Sequence, residues 1–314
     1  MTLLRGLVVA DFSRVLAGPL CTMVLADLGA DVIKVERSGT GDDTRTWGPP
    51  FAGGDAAYFL SVNRNKRSIA LDLGSPGGRR AARALALRAD VLVENFRPGT
   101  MDRFGLGHET LAEEHPSLVY CSISAMGRGA DPRLAGYDLV MQALTGLMSV
   151  TGPEGGEPTK VGVALLDVVA GLYAATGILA ALREREATGR GRLVEISLFE
   201  AGLAALVNQA SNHLVGGLVP APMGNAHPNI APYETFATAD GPLVVAAGND
   251  RLFASTCAVL GVPGLASDPR FAANGDRVGN RRTVLRGLDG TELVAVAGAF
   301  NLKAELLKST LAGE

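Results

Sequence analysis

Asp167 is the residue whose setting most invites chemistry. It is the one charged side chain in VGVALLDVVAGLYAATGILAAL, residues 161–182. A carboxylate near the start of an apolar helix has two structural roles open to it. It can sit in the first turn, satisfied by free N–H groups and the helix dipole, or it can form half of a buried pair with an arginine. Its chemical role would be different: a partly desolvated carboxylate held at a helix N-terminus can attack an activated acyl group. Gly171, Ala174 and Ala175 follow one and two turns on, so the same face carries small residues that another backbone or a ligand could approach. Other nucleophiles find less support. The four histidines (His108, His115, His213, His227) show neither HxH nor HExxH spacing, which argues against a metal site. No GxSxG elbow is present. Cys21, Cys121 and Cys257 are far apart, without a CxxC, and read as reduced thiols.

Basic residues gather at the ends of expected strands: Arg14 after the first, Lys34 and Arg37 on the second, Arg64, Lys66 and Arg67 before the third, Arg97 and Arg103 after the fourth. Ligands of open α/β sheets bind at the carboxyl ends of strands. Arg14, Arg37 and Arg97 are therefore placed to meet a multiply anionic ligand, since forked guanidinium donors suit phosphate oxygens. The alternative is a set of ordinary surface cations, and spacing alone leaves both open. A nucleic acid is not the expected partner, because 29 basic against 32 acidic side chains give a net charge of −3. A dinucleotide is not expected either, since the first strand-to-helix turn, DFSRVLAGPL, lacks GxGxxG.

These residues need elements to hold them. Gly6–Phe12, Asp31–Glu36, Arg67–Leu73, Asp90–Asn95 and Leu118–Ser124 read as buried strands. Helices are expected over Gly18–Gly29, 75–89 and 108–115. Continuous apolar strands alternating with helices predict a parallel sheet covered on both faces. Long Ala/Leu/Gly-rich segments follow from 137 to about 217, broken by the turn-rich loop 150–160 and by TGRGRLVEISLFE, where a helix ends at Gly189 or Gly191. The stretch 220–232, PAPMGNAHPNIAP, shifts in composition, and TFATADGPLVVAAGN reads as a hairpin turning at Ala239-Asp240-Gly241. The expected organisation is a large domain over 1–200, a linker over 201–224 and a small domain over 225–314. Residues 161–182 are long enough to span a bilayer, but an aspartate and three glycines within them favour a buried helix. The start, MTLLRGLVVADFS, has no signal-peptide cleavage pattern.

Several motifs then fall in one order and spacing: DFSRVLAGPLCTMVLADLGADVIKVERSGTGDDTR, NRNKRSIALDL, ADVLVENFRPG, GYDLVMQALTGLMSVTG, LLDVVAGLYAATGILAAL and TGRGRLVEISLFEA. Over roughly residues 3–282 the chain closely resembles the class III coenzyme A transferases, the CaiB/BaiF family. The resemblance implies an α/β fold with a Rossmann-like parallel sheet in a large domain, a smaller α/β domain, and an interlocked homodimer. It implies a cytoplasmic enzyme with no permanent cofactor, no metal and no membrane partner, whose substrates are an acyl-CoA and a carboxylic acid acceptor. Asp167 aligns with the family's catalytic aspartate, which forms a mixed anhydride and then an aspartyl-CoA thioester. Coenzyme A contacts carry over to Val15, Leu16, Arg37, Leu71, Asn95, Phe96, Arg103 and Tyr137.

Leu16 departs from the glutamine of formyl-CoA transferases, and their glycine-rich loop is not evident, which disfavours oxalate as acceptor. GLMSVTGPEGGEPTKVGVALLD and APYETFATADG are more similar to members that move CoA between succinyl-type dicarboxylates and longer or branched acids. The α-methylacyl-CoA racemases share the fold and the aspartate but carry a histidine in GHD. Here the motif is GYD, and a phenol of pKa near 10 is a poor base at neutral pH. After Arg282 the resemblance weakens: the tryptophan-containing helix and the segment that returns to the large domain are not found, so a shortened or inactive member is the other expectation.

Overall fold

The computed structural model describes residues 2–127, 129, 136–238 and 241–281. Ala239 and Asp240 of the expected turn, and everything from Arg282 onward, lie outside the described residues. The chain packs as two units. One comprises Met1–Ser149 with Lys160–Leu218, and the other gathers Val150–Thr159 with the chain from Val219.

The first unit is built on six strands: β1 (Val8–Asp11), β2 (Asp31–Arg37), β3 (Lys66–Leu71), β4 (Val91–Glu94), β5 (Val119–Ser124) and β6 (Leu193–Ser197). They lie in the order β3-β2-β1-β4-β5-β6, all parallel. Every residue of β4, and Val9, Ala10 and Asp11 of β1, are buried, as central strands covered on both faces must be. The strand order reverses between β1 and β4, which leaves a crevice at their carboxyl ends.

Helix α1 (Ala17–Asp27) follows β1 and α2 (Pro76–Ala86) follows β3, with Ser75 capping the latter through its side chain. Helix α3 (His108–Glu114) precedes β5, and α4 (Asp138–Leu144) follows it. Helix α5 (Leu165–Thr188) stops at Gly189, whose φ of 69° needs no Cβ. Its buried stripe, Leu166, Ala170, Gly171, Ala174, Ala175, Ile178 and Ala181, shows that its apolar character serves packing within the protein. Part of that stripe meets α1, where a Cβ on Gly171 would stand 2.6 Å from the Ala17 carbonyl oxygen. The small residues after Asp167 thus admit another backbone. Helices α6 (Leu198–Ala205) and α7 (Val207–Gly216) occupy much of 201–224, the span expected as a linker.

The second unit carries an antiparallel pair, β7 (Tyr233–Thr238) with β8 (Gly241–Ala246), and helix α8 (Asp250–Val259). Phe253, Cys257, Phe271 and Ala247 form its core. Arg277 is fully buried there, donating to the Ala231 and Phe271 carbonyls and to Asp250, and lying 4.5 Å from the Phe253 ring centre.

Candidate active site

The crevice between β1 and β4 is framed by the loops that follow those strands. They are tied together across it: the Arg14 amide donates to Asn95 Oδ1 at 2.7 Å, and Asn95 Nδ2 returns a bond to the Arg14 carbonyl at 2.7 Å. The next residue, Val15, adopts φ of 68°, a left-handed conformation that a β-branched side chain resists. Its amide faces both oxygens of Asp42 at 3.4 and 3.3 Å, and Asp42 is itself fixed by a buried ion pair with Lys34 at 2.9 Å. Lys34 also donates to the Ser13 carbonyl. Beneath the loop Asp11 pairs with Lys66 at 3.1 Å and accepts from Thr22 and Ser13. Burial alone would raise the Asp11 pKa, but the two lysines and the hydroxyls outweigh it and hold the carboxyl below its ordinary value.

This sorts the basic cluster read from the sequence. Lys34 and Lys66 are internal struts, while Arg64 and Arg67 pair on the surface with Asp27 and Asp31. Arg14, Arg37 and Arg97 remain at the crevice. Two cavities open there. One, of about 270 Å³, is lined by Arg14, Arg37, Leu71, Leu73, Phe96 and Phe104 among others. The second, of about 190 Å³, has Arg14, Val15, Asn95, Phe96, Tyr137 and Asp167 on its walls, with Arg97 and Ser124. Both share Arg14 and Phe96, and the Arg14 guanidinium lies 4.7 Å from the Phe96 ring centre. The pair of cavities suits an elongated ligand: apolar and stacking surface at one end, guanidinium groups along it, and a carboxylate at the other end.

Seven of the nine expected site residues line these walls. Leu16 does not; it is buried against Met23 and Val62. Arg103 does not either; it is exposed and donates to the hydroxyl of Thr100. The argument against oxalate drawn from Leu16 therefore loses its footing, because the side chain points into packing. Arg14 belongs among the lining residues, and its place directly after the first strand was the signal.

Asp167 is the third residue of α5. The cap position, Ala164, offers no side-chain acceptor. That duty falls to Asp138 of α4, whose Oδ1 accepts from the amides of Leu166 at 2.7 Å and Asp167 at 3.3 Å. An expectation drawn from the helix dipole alone keeps Asp167 ionised at neutral pH. The structure works against it: burial, and then the charge of Asp138, push its pKa up to about 7. The dipole effect, typically below about 1 kcal/mol, is smaller than a shift of this size. Tyr58, half-buried nearby, has its own pKa raised by burial and by Asp167, Asp138 and Asp42. Asp138 was missed from the sequence, although it is the last letter of GYD.

The model of "CoA-transferase family III" matches residues 4–295, beyond the Arg282 limit of the motif resemblance. The chain belongs to that family. It is 46% identical over 284 residues to the human "Succinyl-CoA:glutarate CoA-transferase", covering 90% of this chain and 65% of that protein. A "Succinate--glutarate CoA-transferase" of Agrobacterium fabrum is 45% identical, covering 88% and 71%. An "Acetyl-CoA:oxalate CoA-transferase" of Acetobacter aceti is 44% identical, covering 90% and 73%. Among solved structures, a CAIB/BAIF family protein from Brucella suis superposes with a TM-score of 0.81 at 45% identity, covering 97% of this chain and 81% of that one. The chain thus spans about two thirds of the length of the human family member it matches.

Proposed function

We propose that this family III member transfers coenzyme A from an acyl-CoA to a free dicarboxylic acid through covalent intermediates on Asp167. The observation that carries this reading is a half-buried carboxylate on the wall of the second of two cavities that share Arg14 and Phe96. Arg37, Leu71 and Phe104 receive the nucleotide end of the donor, Arg14 meets its phosphates, and the thioester reaches Asp167. An Asp167 oxygen attacks the thioester carbon, the C–S bond breaks, and the thiolate leaves with the electron pair. The thiolate then attacks the aspartyl carbonyl of the mixed anhydride, releasing the first acid as its carboxylate. The acceptor carboxylate takes up the aspartyl-CoA in the same two steps reversed. No ATP is needed, because the donor thioester already carries the activation energy. The names of the relatives favour succinyl-type donors and short dicarboxylate acceptors, oxalate now included. A homodimer, a cytoplasmic setting and the lack of a permanent cofactor belong to the same proposal.

The experiment is chemical trapping. Incubation with an acyl-CoA followed by hydroxylamine or borohydride should modify Asp167, seen by peptide mass, and Asp167→Ala should abolish transfer, a loss of at least about 10³-fold. Turnover surviving that substitution would sink the covalent route.

One observation favours a second reading. A carboxyl with pKa near 7 also suits a general base at the α-carbon, as in a racemase. Deuterium uptake at the α-position from heavy water, without acceptor-dependent transfer, would select that reading. Tyr137 in the GYD motif weighs against it, since a phenol is a poor partner base.

A further inference from the structure

We propose that Asp138 is the positioning residue of the nucleophile: it fixes the backbone that carries Asp167 and sets beside it a buried negative charge that favours conversion of Asp167 into a neutral acyl species. The inference rests on the transferase reading above and assigns the control of its nucleophile.

Asp138 opens α4 and is buried. Its Oδ1 accepts two of the amides that a helix start leaves without partners, those of Leu166 and Asp167. Its Oδ2 accepts from Gln142 Nε2, one turn along the same helix, at 2.5 Å. Gln142, fully buried, in turn accepts from the Val161 amide at 2.8 Å and reaches the Val163 carbonyl at 3.4 Å. Two side chains on one face of α4 therefore clamp the segment 161–167 by three of its amides and one carbonyl.

A neutral cap could supply the hydrogen bonds. What it would lack is charge, and the charge acts on Asp167, adding to the effect of burial on its proton affinity. The groups acting on Asp167 are Asp138 from α4 and the Tyr58 phenol from the short helix Ala57–Ser61, while Arg14, Asp43, Arg97 and Tyr137 line the same cavity. When Asp167 attacks a thioester, its negative charge departs on the thiolate and the aspartyl anhydride is neutral. Repulsion from Asp138 is present before that step and gone after it. The same holds for the neutral aspartyl-CoA. Asp138 thus raises the resting carboxylate relative to both adducts.

The test separates hydrogen bonding from charge. Asp138→Asn alone turns an amide NH₂ toward that of Gln142. The double variant Asp138→Asn/Gln142→Glu restores a bond between the two side chains and keeps the three amide bonds, giving up only the 3.4 Å contact to the Val163 carbonyl, while moving the charge one side chain away from Asp167. Two readouts apply to the full chain: the pH profile of kcat/KM, and the ¹³C carboxyl titration of Asp167 in aspartate-labelled protein, assigned with Asp167→Asn. The double variant should keep its Tm and a KM for acyl-CoA within about threefold. Its acid limb and its titration midpoint should fall by at least one pH unit, and kcat at pH 8 should drop about tenfold or more. An unmoved midpoint overturns the charge role. Should the double variant not fold, Asp138→Asn alone is read the same way, and a wild-type midpoint near the ordinary 3.8 overturns the proposal without any variant. The midpoint needs no turnover, so a protein that titrates as expected yet moves no CoA refutes the transferase reading instead.

Discussion

At the scale of single residues, Asp167 makes opposite demands on folding and on chemistry. Its pKa is raised from 3.8 to about 7, so the folded state binds the proton more tightly than the unfolded chain. The stability it contributes is fully present below about pH 4 and is lost as pH rises through 7. Activity runs the other way, because only the ionised form attacks. We expect kcat/KM to rise with pH through an acid limb near 7. Asp167→Asn should raise the unfolding free energy relative to wild type at pH 8, by an amount of order 2 kcal/mol, and change it little at pH 4. Calorimetry at the two pH values checks this, and an equal effect at both would contradict the raised pKa. Arg14 offers a contrasting case. It borders both cavities, stacks on Phe96 and has a carboxylate, Asp43, only at 3.9 Å. Arg14→Ala should raise KM for acyl-CoA about tenfold or more with a smaller change in kcat, the pattern of lost ground-state binding. Steady-state kinetics with varied acyl-CoA would show it. A fall in kcat alone would place Arg14 at the reacting carbon instead.

At the scale of elements, the site is a product of how α5 sits. Gly171 brings α5 against the backbone of α1, and Asp138 ties its first turn to α4. Gly171→Val would place a branched side chain where a Cβ alone stands 2.6 Å from the Ala17 oxygen. The helices must part, at a cost of about 2–3 kcal/mol in denaturant unfolding, and Asp167 moves with them. We expect transfer to fall more than stability implies; an unchanged midpoint of unfolding would show that the crossing yields easily. Much of this layer could be read in advance. Apolar runs such as VVAD and VLVE, separated by helical segments, report their own burial, and Gly189 announces the end of α5. What could not be read depends on register and handedness. Lys34 and Lys66 carry the same letters as surface lysines, and only the parallel pairing of β1, β2 and β3 sinks them beside Asp42 and Asp11. The left-handed turn at Val15 leaves that residue on the cavity wall while Leu16 packs inward, a choice invisible in the dipeptide.

At the scale of the whole molecule, composition marked a change near 220–232 but gave no hint that Val150–Thr159 packs with the later residues, because that loop's partners are remote in sequence. Nor could it foresee the apolar surface of the first unit. Leu139, Val140 and Leu144 on α4 are exposed, as are Leu172, Tyr173 and Leu179 on α5. On α7 Leu214 and Val215 reach 82% and 90% exposure. Scattered single apolar residues on a surface need no explanation, but this many large ones on three helices of one unit argue for a partner. The homodimer of the proposed function supplies one of matching chemistry, since a self-complementary apolar face is how two-fold assemblies commonly associate. Light scattering on the eluting peak should therefore return twice the 32.4 kDa chain mass at micromolar concentration. Replacing Leu214 and Val215 together by glutamate should shift the peak toward one chain mass, because charges buried in such a face are strongly unfavourable. If the unaltered chain elutes at a single chain mass across the range, while circular dichroism shows it folded, these helices face solvent in the working protein and the dimer proposal fails.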